Sequence, residues 1–330
     1  MSTNDVIIVN PLGGALQHYT RALADALDHT GARVSVSHVN EPSITGRSSL
    51  DWARRYITAL WSARRTARRS DARVIVTWPV LGHLDRLIMH TVLGRRIESA
   101  LVMHDPRPLV HARGYSTLSR RTGALACAVQ LIVHSTTAHT ALTTDSPETT
   151  PELLPHPVFP RTATPQPEPA SEQPVVRVLG QFKPDRDLTL LAEIGERLDT
   201  RYRLEIIGRG WPSIAGWTVT DEFVPEEHLD TLIATAQAVL VPYKRFFQSG
   251  IAIRSLELGT PAIGPTGSSI ADLYPDNRYL ANDTATSWCD AISAATSADR
   301  DHTRTLAAHA AHTSRTAWSR WLTTPINRGT

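Results

Sequence analysis

The residues best equipped for chemistry sit where apolar runs end. In 239–265, VLVPYKRFFQSGIAIRSLELGTPAIGP, a strand over Val239 to Tyr243 gives way to a loop. A short helix, Ile251 to Gly259, then opens behind Gln248-Ser249-Gly250 and carries Glu257 two turns down. Amides at such a helix mouth favour negative charge by about 0.3–1 kcal/mol at exposed sites. A carboxylate on the same helix can accept both hydroxyls of a ribose, while an isolated helix would simply expose it. Gly13-Gly14 marks a strand-to-helix turn where a missing Cβ lets a phosphate reach backbone N–H groups, or where the chain merely turns. Neither the G-x-G-x-x-G dinucleotide fingerprint nor the Gly-Lys-Ser/Thr of a Walker loop accompanies it.

His104-Asp105-Pro106-Arg107 follows the apolar run ALVMH at the carboxyl end of a strand, where open α/β sheets bind ligands. A histidine there can orient a substrate hydroxyl or share charge with a carboxylate. His134-Ser135 is similarly placed and is read as structural, and Pro155-His156-Pro157 as a rigid lead into a hinge. Lys183 and Arg186 occupy another strand-to-helix loop, VLGQFKPDRDL, where cations complement a diphosphate or are solvated. Gly208 and Gly210 end a further strand.

The elements that must hold these residues follow a simple alternation. VIIVN (6–10), RVSVSHV (33–39), RVIVTW (73–78), ALVMH (100–104) and QLIVH (130–134) are short β-branched runs separated by helical patterns, which predicts a parallel sheet covered on both faces. Residues 157–174, PVFPRTATPQPEPASEQP, have no period and read as a linker. The alternation restarts with VVRVLG, RLEIIG, AVLVPY and PAIG. A last helical pattern, about 301–322, ends in AWSRWL, with Trp318, Trp321 and Leu322 at one-turn spacing.

Length and composition agree with two soluble domains. The chain has 330 residues, 41% hydrophobic and 20% charged, and no uninterrupted apolar run of membrane-spanning length. The N-terminus lacks a basic leader, and Cys127 and Cys289 form neither a zinc pattern nor a disulfide framework, so a cytoplasmic setting is expected. Residues 1–160 carry 17 Lys+Arg against 12 Asp+Glu, and residues 161–330 carry 17 against 20. That asymmetry is too mild for a nucleic-acid binder and points to a local anionic partner for the first half.

Helical periodicity over 51–69, DWARRYITALWSARRTARR, puts Arg54, Arg55, Arg64, Arg65, Arg68 and Arg69 on one half of the wheel. Trp52, Tyr56, Leu60 and Ala63 take the other half, and Trp61 falls among the arginines. Such a face is either solvated or settles on anionic lipid with Trp61 at headgroup level.

In this order, the GGxxxHY-like turn (Gly13, Gly14, His18), the His104-Asp105-Pro106 step, GQFKPDR, LEIIGRG and VPYKRFFQSGIAIRSLELGTPAIG resemble the retaining glycosyltransferase family 4 over nearly the whole chain. The resemblance implies the GT-B fold: two Rossmann-like domains facing across a cleft, with a C-terminal helix crossing back to the first. The expected bounds are 1–158 for an acceptor-binding domain, 159–174 for the linker, 175–305 for a nucleotide-sugar domain and 306–330 for the returning helix.

It further implies transfer of a sugar from a UDP- or GDP-linked donor to an acceptor hydroxyl of a glycan or glycolipid, with retention and without metal or other cofactor. Gly13 and Gly14 would approach the donor phosphates, and His104, with Ser249, would face the transferred sugar. His18 and Asp105 would line the acceptor side. Gln181, Lys183, Arg186 and Gly208 would surround the diphosphate, Gln248 to Ile251 would form the mouth, and Glu257 would hold the ribose. The family's first glutamate falls on Ser249, and its usual diphosphate arginine falls on Gln181 or is displaced to Lys183. Those departures leave two alternatives open: a catalytically silent nucleotide-sugar-binding partner of another transferase, and a GT-B epimerase or hydrolase.

Overall fold

The structure is a computed structural model that describes residues 5–109, 112–161, 173–198, 201–298 and 300–326; the middle of the Pro-rich linker, 162–172, lies outside them. The chain divides into two compact units, Met1–Pro157 with His312–Thr330, and Val158–Ala311.

The first unit is built on β1 (Asp5–Asn10), α1 (Gln17–Asp28), β2 (Arg33–His38), α2 (Pro42–Thr45), α3 (Ser49–Ser70), β3 (Arg73–Val76), α4 (Leu84–Leu93), β4 (Ser99–Val102), α5 (Thr117–Ala124), β5 (Val129–Val133), α6 (Thr136–Asp145) and β6 (Glu152–Leu153). Its six strands run parallel in the order β2-β1-β3-β4-β5-β6. The β-branched runs lie in the middle of the sheet, where both faces are covered and Val74, Ile75, Val76, Ala100 and Ile132 are fully buried. β2, at the edge, alternates toward solvent.

Ser48 caps α3 by accepting the Asp51 amide at 3.2 Å, and Asp71 ends the helix in the left-handed region, φ 54°. Tyr56, Leu60, Ala63 and Ala67 form its buried stripe, as the periodicity predicts. Arg54, Arg55, Arg65, Arg68 and Arg69 are exposed on the other side. Trp61 is 46% exposed, with the Arg64 guanidinium 5.1 Å from its ring centroid. Arg64 departs from the solvated face expected for it: it is half-buried and donates to the Val92 carbonyl, since the end of α4 passes beside it.

The second unit contains β7 (Val175–Leu179), α7 (Leu188–Leu198), β8 (Arg203–Ile207), β9 (Thr218–Thr220), α8 (Glu226–Ala234), β10 (Ala238–Leu240), α9 (Gly250–Glu257), β11 (Ala262–Pro265), β12 (Leu280–Ala281) and α10 (Ala285–Ser297). Its strands are also parallel, in the order β12-β11-β10-β7-β8-β9. Trp211, Trp217, Tyr274 and Trp288 fill its core with the strand residues.

α11 (Arg300–Thr323) supplies both units. Ala307 and Ala311 belong to the core of the second, and Trp318, Trp321 and Leu322 to that of the first, against Tyr19, Leu23, Ile75 and Ile132. The Trp318 indole donates to the Pro155 carbonyl at 3.3 Å and Trp321 to Gln130 Oε1 at 2.7 Å, so both polar edges are satisfied on burial.

Candidate functional site

In the second unit the strand carboxyl ends meet through backbone. Gly180 donates to Ile207 O at 3.0 Å and Phe182 to Arg209 O at 3.0 Å, tying the loops after β7 and β8 together. A Cβ on Gly208 would stand 2.2 Å from Gly180 O, so only glycine permits this approach. The loop after β10 joins them: Asp187 donates to Pro242 O and Lys244 to Asp185 O, each at 2.9 Å.

Arg186 lies at this junction and is 5% exposed. Its guanidinium stands 4.0 Å from the Tyr243 ring centroid and 5.2 Å from that of Trp211, and Nη2 donates to Leu179 O at 3.0 Å. Burial lowers its pKa, and proximity to Tyr243 raises it. Among the described residues Nε finds no acceptor and no carboxylate pairs with the cation. A buried guanidinium without a counter-charge favours an anion. Gln181 and Lys183 are exposed on the same loop.

The helix mouth forms beside this junction. Ser249 is the N-cap of α9, its Oγ accepting the Ala252 amide at 3.2 Å, which leaves the hydroxyl able to donate its proton and to accept one further bond. Phe246 and Phe247 are buried and anchor the loop; Gln248 and Ile251 are half-exposed. Gly250 is exposed, and the space in front of its Cα is open.

Glu257 is not at this site. α9 connects the adjacent parallel strands β10 and β11, so it runs from the ligand-binding edge of the sheet toward the opposite edge. Seven residues separate Gly250 from Glu257, about 10 Å along the axis. The carboxylate is 2% exposed and accepts the Phe159 amide at 2.8 Å. The ribose role expected of Glu257 is therefore corrected to an anchor for the start of the unit. The helix also ends earlier than Gly259, which takes φ 72° as its terminator. One turn in from the mouth, Arg254 is held by Glu226 and by Asp230 at 2.9–3.0 Å.

In the first unit, Gly13 and Gly14 do form the turn into α1, but the segment after β2 covers them. Gly13 donates to Val39 O at 3.1 Å, and Glu41 accepts the amides of Gly14 at 3.4 Å and Ala15 at 3.3 Å. A Cβ on Gly13 would meet Asn40 Oδ1 at 2.2 Å, and one on Gly14 would meet Ile44 Cδ1 at 2.2 Å. Both contacts are with the ends of flexible side chains, so packing favours glycine here without demanding it, and the Glu41 carboxylate stands where a phosphate was expected.

His104 and Asp105 lie in the loop that follows β4; the ring is buried and Asp105 half-buried. His104 Nε2 lies 2.9 Å from Thr77 O and, facing a carbonyl, carries the proton. Tyr19 meets the ring edge-on with centroids 4.6 Å apart, and Trp78 stacks on it at 5.5 Å. Arg107 of the same loop makes a paired bridge to Asp145 at 2.8 and 2.7 Å. His18, half-buried, precedes Tyr19 on α1.

Two neighbours read from the sequence as structural, His134 and His156, and one that carries no local signal, Asp85, are buried in this unit. His134 and His156 follow β5 and β6 as His104 follows β4. Burial pushes His134 down to about 3 and His156 well below the usual histidine range. Asp85 is buried under α3 and pushed up to about 7 by burial, against the opposing hydrogen bond from the Leu81 amide. Among the described residues no group of three or more His, Cys, Asp or Glu is arranged to hold a metal ion.

No protein-family model and no curated protein matches the sequence. Solved structures do. A sucrose-phosphate synthase from Thermosynechococcus elongatus is 14% identical, with 97% of this chain and 96% of that one covered and a TM-score of 0.62. A glycosyltransferase from Rickettsia africae is 11% identical over 98% and 96%, with a TM-score of 0.63. Anabaena HepE in complex with UDP-glucose is 12% identical over 96% of each chain, with a TM-score of 0.58. Two parallel six-stranded α/β units, aligned along nearly their whole length with these structures, give this chain the GT-B fold.

Proposed function

We propose that the chain is a metal-independent glycosyltransferase that moves a sugar from a UDP- or GDP-linked donor to an acceptor hydroxyl with retention at the anomeric carbon. The observation that carries this reading is Arg186, buried without a counter-charge where the loops after β7, β8 and β10 meet beside the open mouth of α9. A nucleoside diphosphate supplies the missing negative charge. Arg186, with Lys183 and the mouth amides, would stabilise the diphosphate as the bond to the sugar breaks. The UDP-glucose bound to HepE supports a uridine donor.

The exposed arginines of α3 with Trp61 support an acceptor on an anionic membrane surface, with the protein peripheral to it. No described helix is long and apolar enough to cross a membrane.

A second reading, a nucleotide-sugar-binding partner without transfer activity, is favoured by Ser249. The mouth presents a capping hydroxyl where the resembling family has a carboxylate. Both readings predict that UDP or GDP raises the melting temperature, because a ligand bound only by the folded state stabilises it. At 100 times Kd the gain is about 2.7 kcal/mol. If no nucleoside diphosphate shifts the melt, both are rejected. Mass-spectrometric release of free sugar or glycosylated acceptor from UDP-glucose distinguishes the enzyme from the silent partner.

A further inference from the structure

Three neighbouring strands of the first unit, β4, β5 and β6, are each followed within three residues by a histidine, and all three rings close on one tyrosine. Tyr19 stands 4.6 Å from His104, 5.4 Å from His134 and 5.1 Å from His156, centroid to centroid. His134 is also 5.4 Å from His104 and 5.3 Å from His156.

The hydrogen bonds fix the tautomers. His134 Nδ1 faces the Leu154 carbonyl at 2.8 Å and must carry the proton there, so Nε2, 2.8 Å from the Tyr19 hydroxyl, accepts. His156 Nδ1 likewise donates to Pro157 O at 2.6 Å. With these nitrogens directed at carbonyls and a hydroxyl, the cluster is not arranged as a metal site.

The relay runs from the Leu154 carbonyl through the His134 ring to the Tyr19 hydroxyl, which sets the Tyr19 ring edge-on against His104. Trp78 backs the other side of that imidazole, and Thr77 O takes its Nε2 proton. We infer that Tyr19 and His134 are positioning residues for His104: their hydrogen bond holds the imidazole between Tyr19 and Trp78 with its Nε2–H on Thr77 O, in a single tautomer and orientation. The spectroscopic content stands by itself; the kinetic consequence rests on the proposed sugar transfer.

Long-range ¹H–¹⁵N spectra of the imidazoles test the lock directly. The wild-type protein and His134→Gln, whose amide oxygen can still accept from Tyr19, should show a single Nε2–H tautomer for His104. His134→Leu and Tyr19→Phe should show averaged tautomers, while their thermal melts stay cooperative. With UDP-glucose as donor, sugar release should fall about 10- to 100-fold in kcat for Tyr19→Phe and His134→Leu at unchanged KM, and recover in His134→Gln. An unchanged His104 signature in both Tyr19→Phe and His134→Leu overturns the inference. A wild-type protein that releases no sugar from any donor overturns the proposed transfer instead, and the spectra still decide on the lock.

Discussion

Glu257 and Arg186 sit on neighbouring elements, yet the fold gives them opposite tasks. Glu257, 2% exposed, accepts the part-buried Phe159 amide, so truncation removes that acceptor and leaves a cavity behind a buried side chain. Glu257→Ala should lower stability by about 1–3 kcal/mol in urea titration and leave UDP affinity unchanged in calorimetry. Weakened UDP binding at unchanged stability would restore the ribose role. Arg186→Lys keeps the charge but loses the planar group stacked against Tyr243 and Trp211, and should lose UDP affinity by about tenfold or more. Equal affinity in the two proteins would remove Arg186 from the donor site.

The difference was only half legible in the sequence. Arg186 was recognised as a loop cation, since position in a strand-to-helix loop is local information. Its aromatic enclosure was not, because Tyr243 and Trp211 arrive from distant segments. For Glu257 the residue type is legible, whereas the direction in which its helix leaves the ligand-binding edge follows only from the parallel pairing of β10 and β11.

Among the elements, the long runs were readable and the short ones were not. Every central strand was visible as a β-branched run. β6, β9 and β12 span only two or three residues at the outer positions of their sheets and carry no periodicity of their own. α3 was read from its wheel because a stripe of Tyr56, Leu60, Ala63 and Ala67 needs no tertiary knowledge, whereas the Arg64 bond to Val92 O does. The exposed part of that helix gives a clear expectation. Anionic vesicles should sediment the protein at low salt, and replacing Arg65, Arg68 and Arg69 by Glu should release it, since each basic group near a charged bilayer contributes about 1 kcal/mol. Neutral phosphatidylcholine vesicles should not retain it. Absence of wild-type binding to anionic vesicles would return the face to plain solvation.

For the whole molecule, the first unit concentrates displaced titrations. Burial, with Arg120 and Arg86 nearby, holds His83 at about 4; burial holds His134 at about 3 and His156 well below the usual histidine range. Each binds a proton in the unfolded chain near 6.5 that the folded protein refuses, so its stability is present above 6.5 and lost as pH falls. Asp85, raised from 3.8 to about 7, acts oppositely: its contribution is present below 3.8 and lost as pH rises toward 7. Between pH 4.5 and 6 three histidines oppose one aspartate. A net uptake of about two protons on unfolding then makes stability fall by roughly 2.7 kcal/mol per pH unit on acidification. Urea midpoints across that interval should drop accordingly, and a flat profile would show that the histidines open to water.

α11 makes the first unit discontinuous in sequence: Trp318, Trp321 and Leu322 complete a core begun by Tyr19, Leu23 and Ile75. During synthesis the 154 residues from Val158 to Ala311 must emerge between the two parts. At ribosomal speeds that takes roughly 10–30 s. Through that interval the earlier-made residues wait with an unfilled apolar surface, which makes the nascent chain a client for chaperones although the finished protein buries every one of those tryptophans.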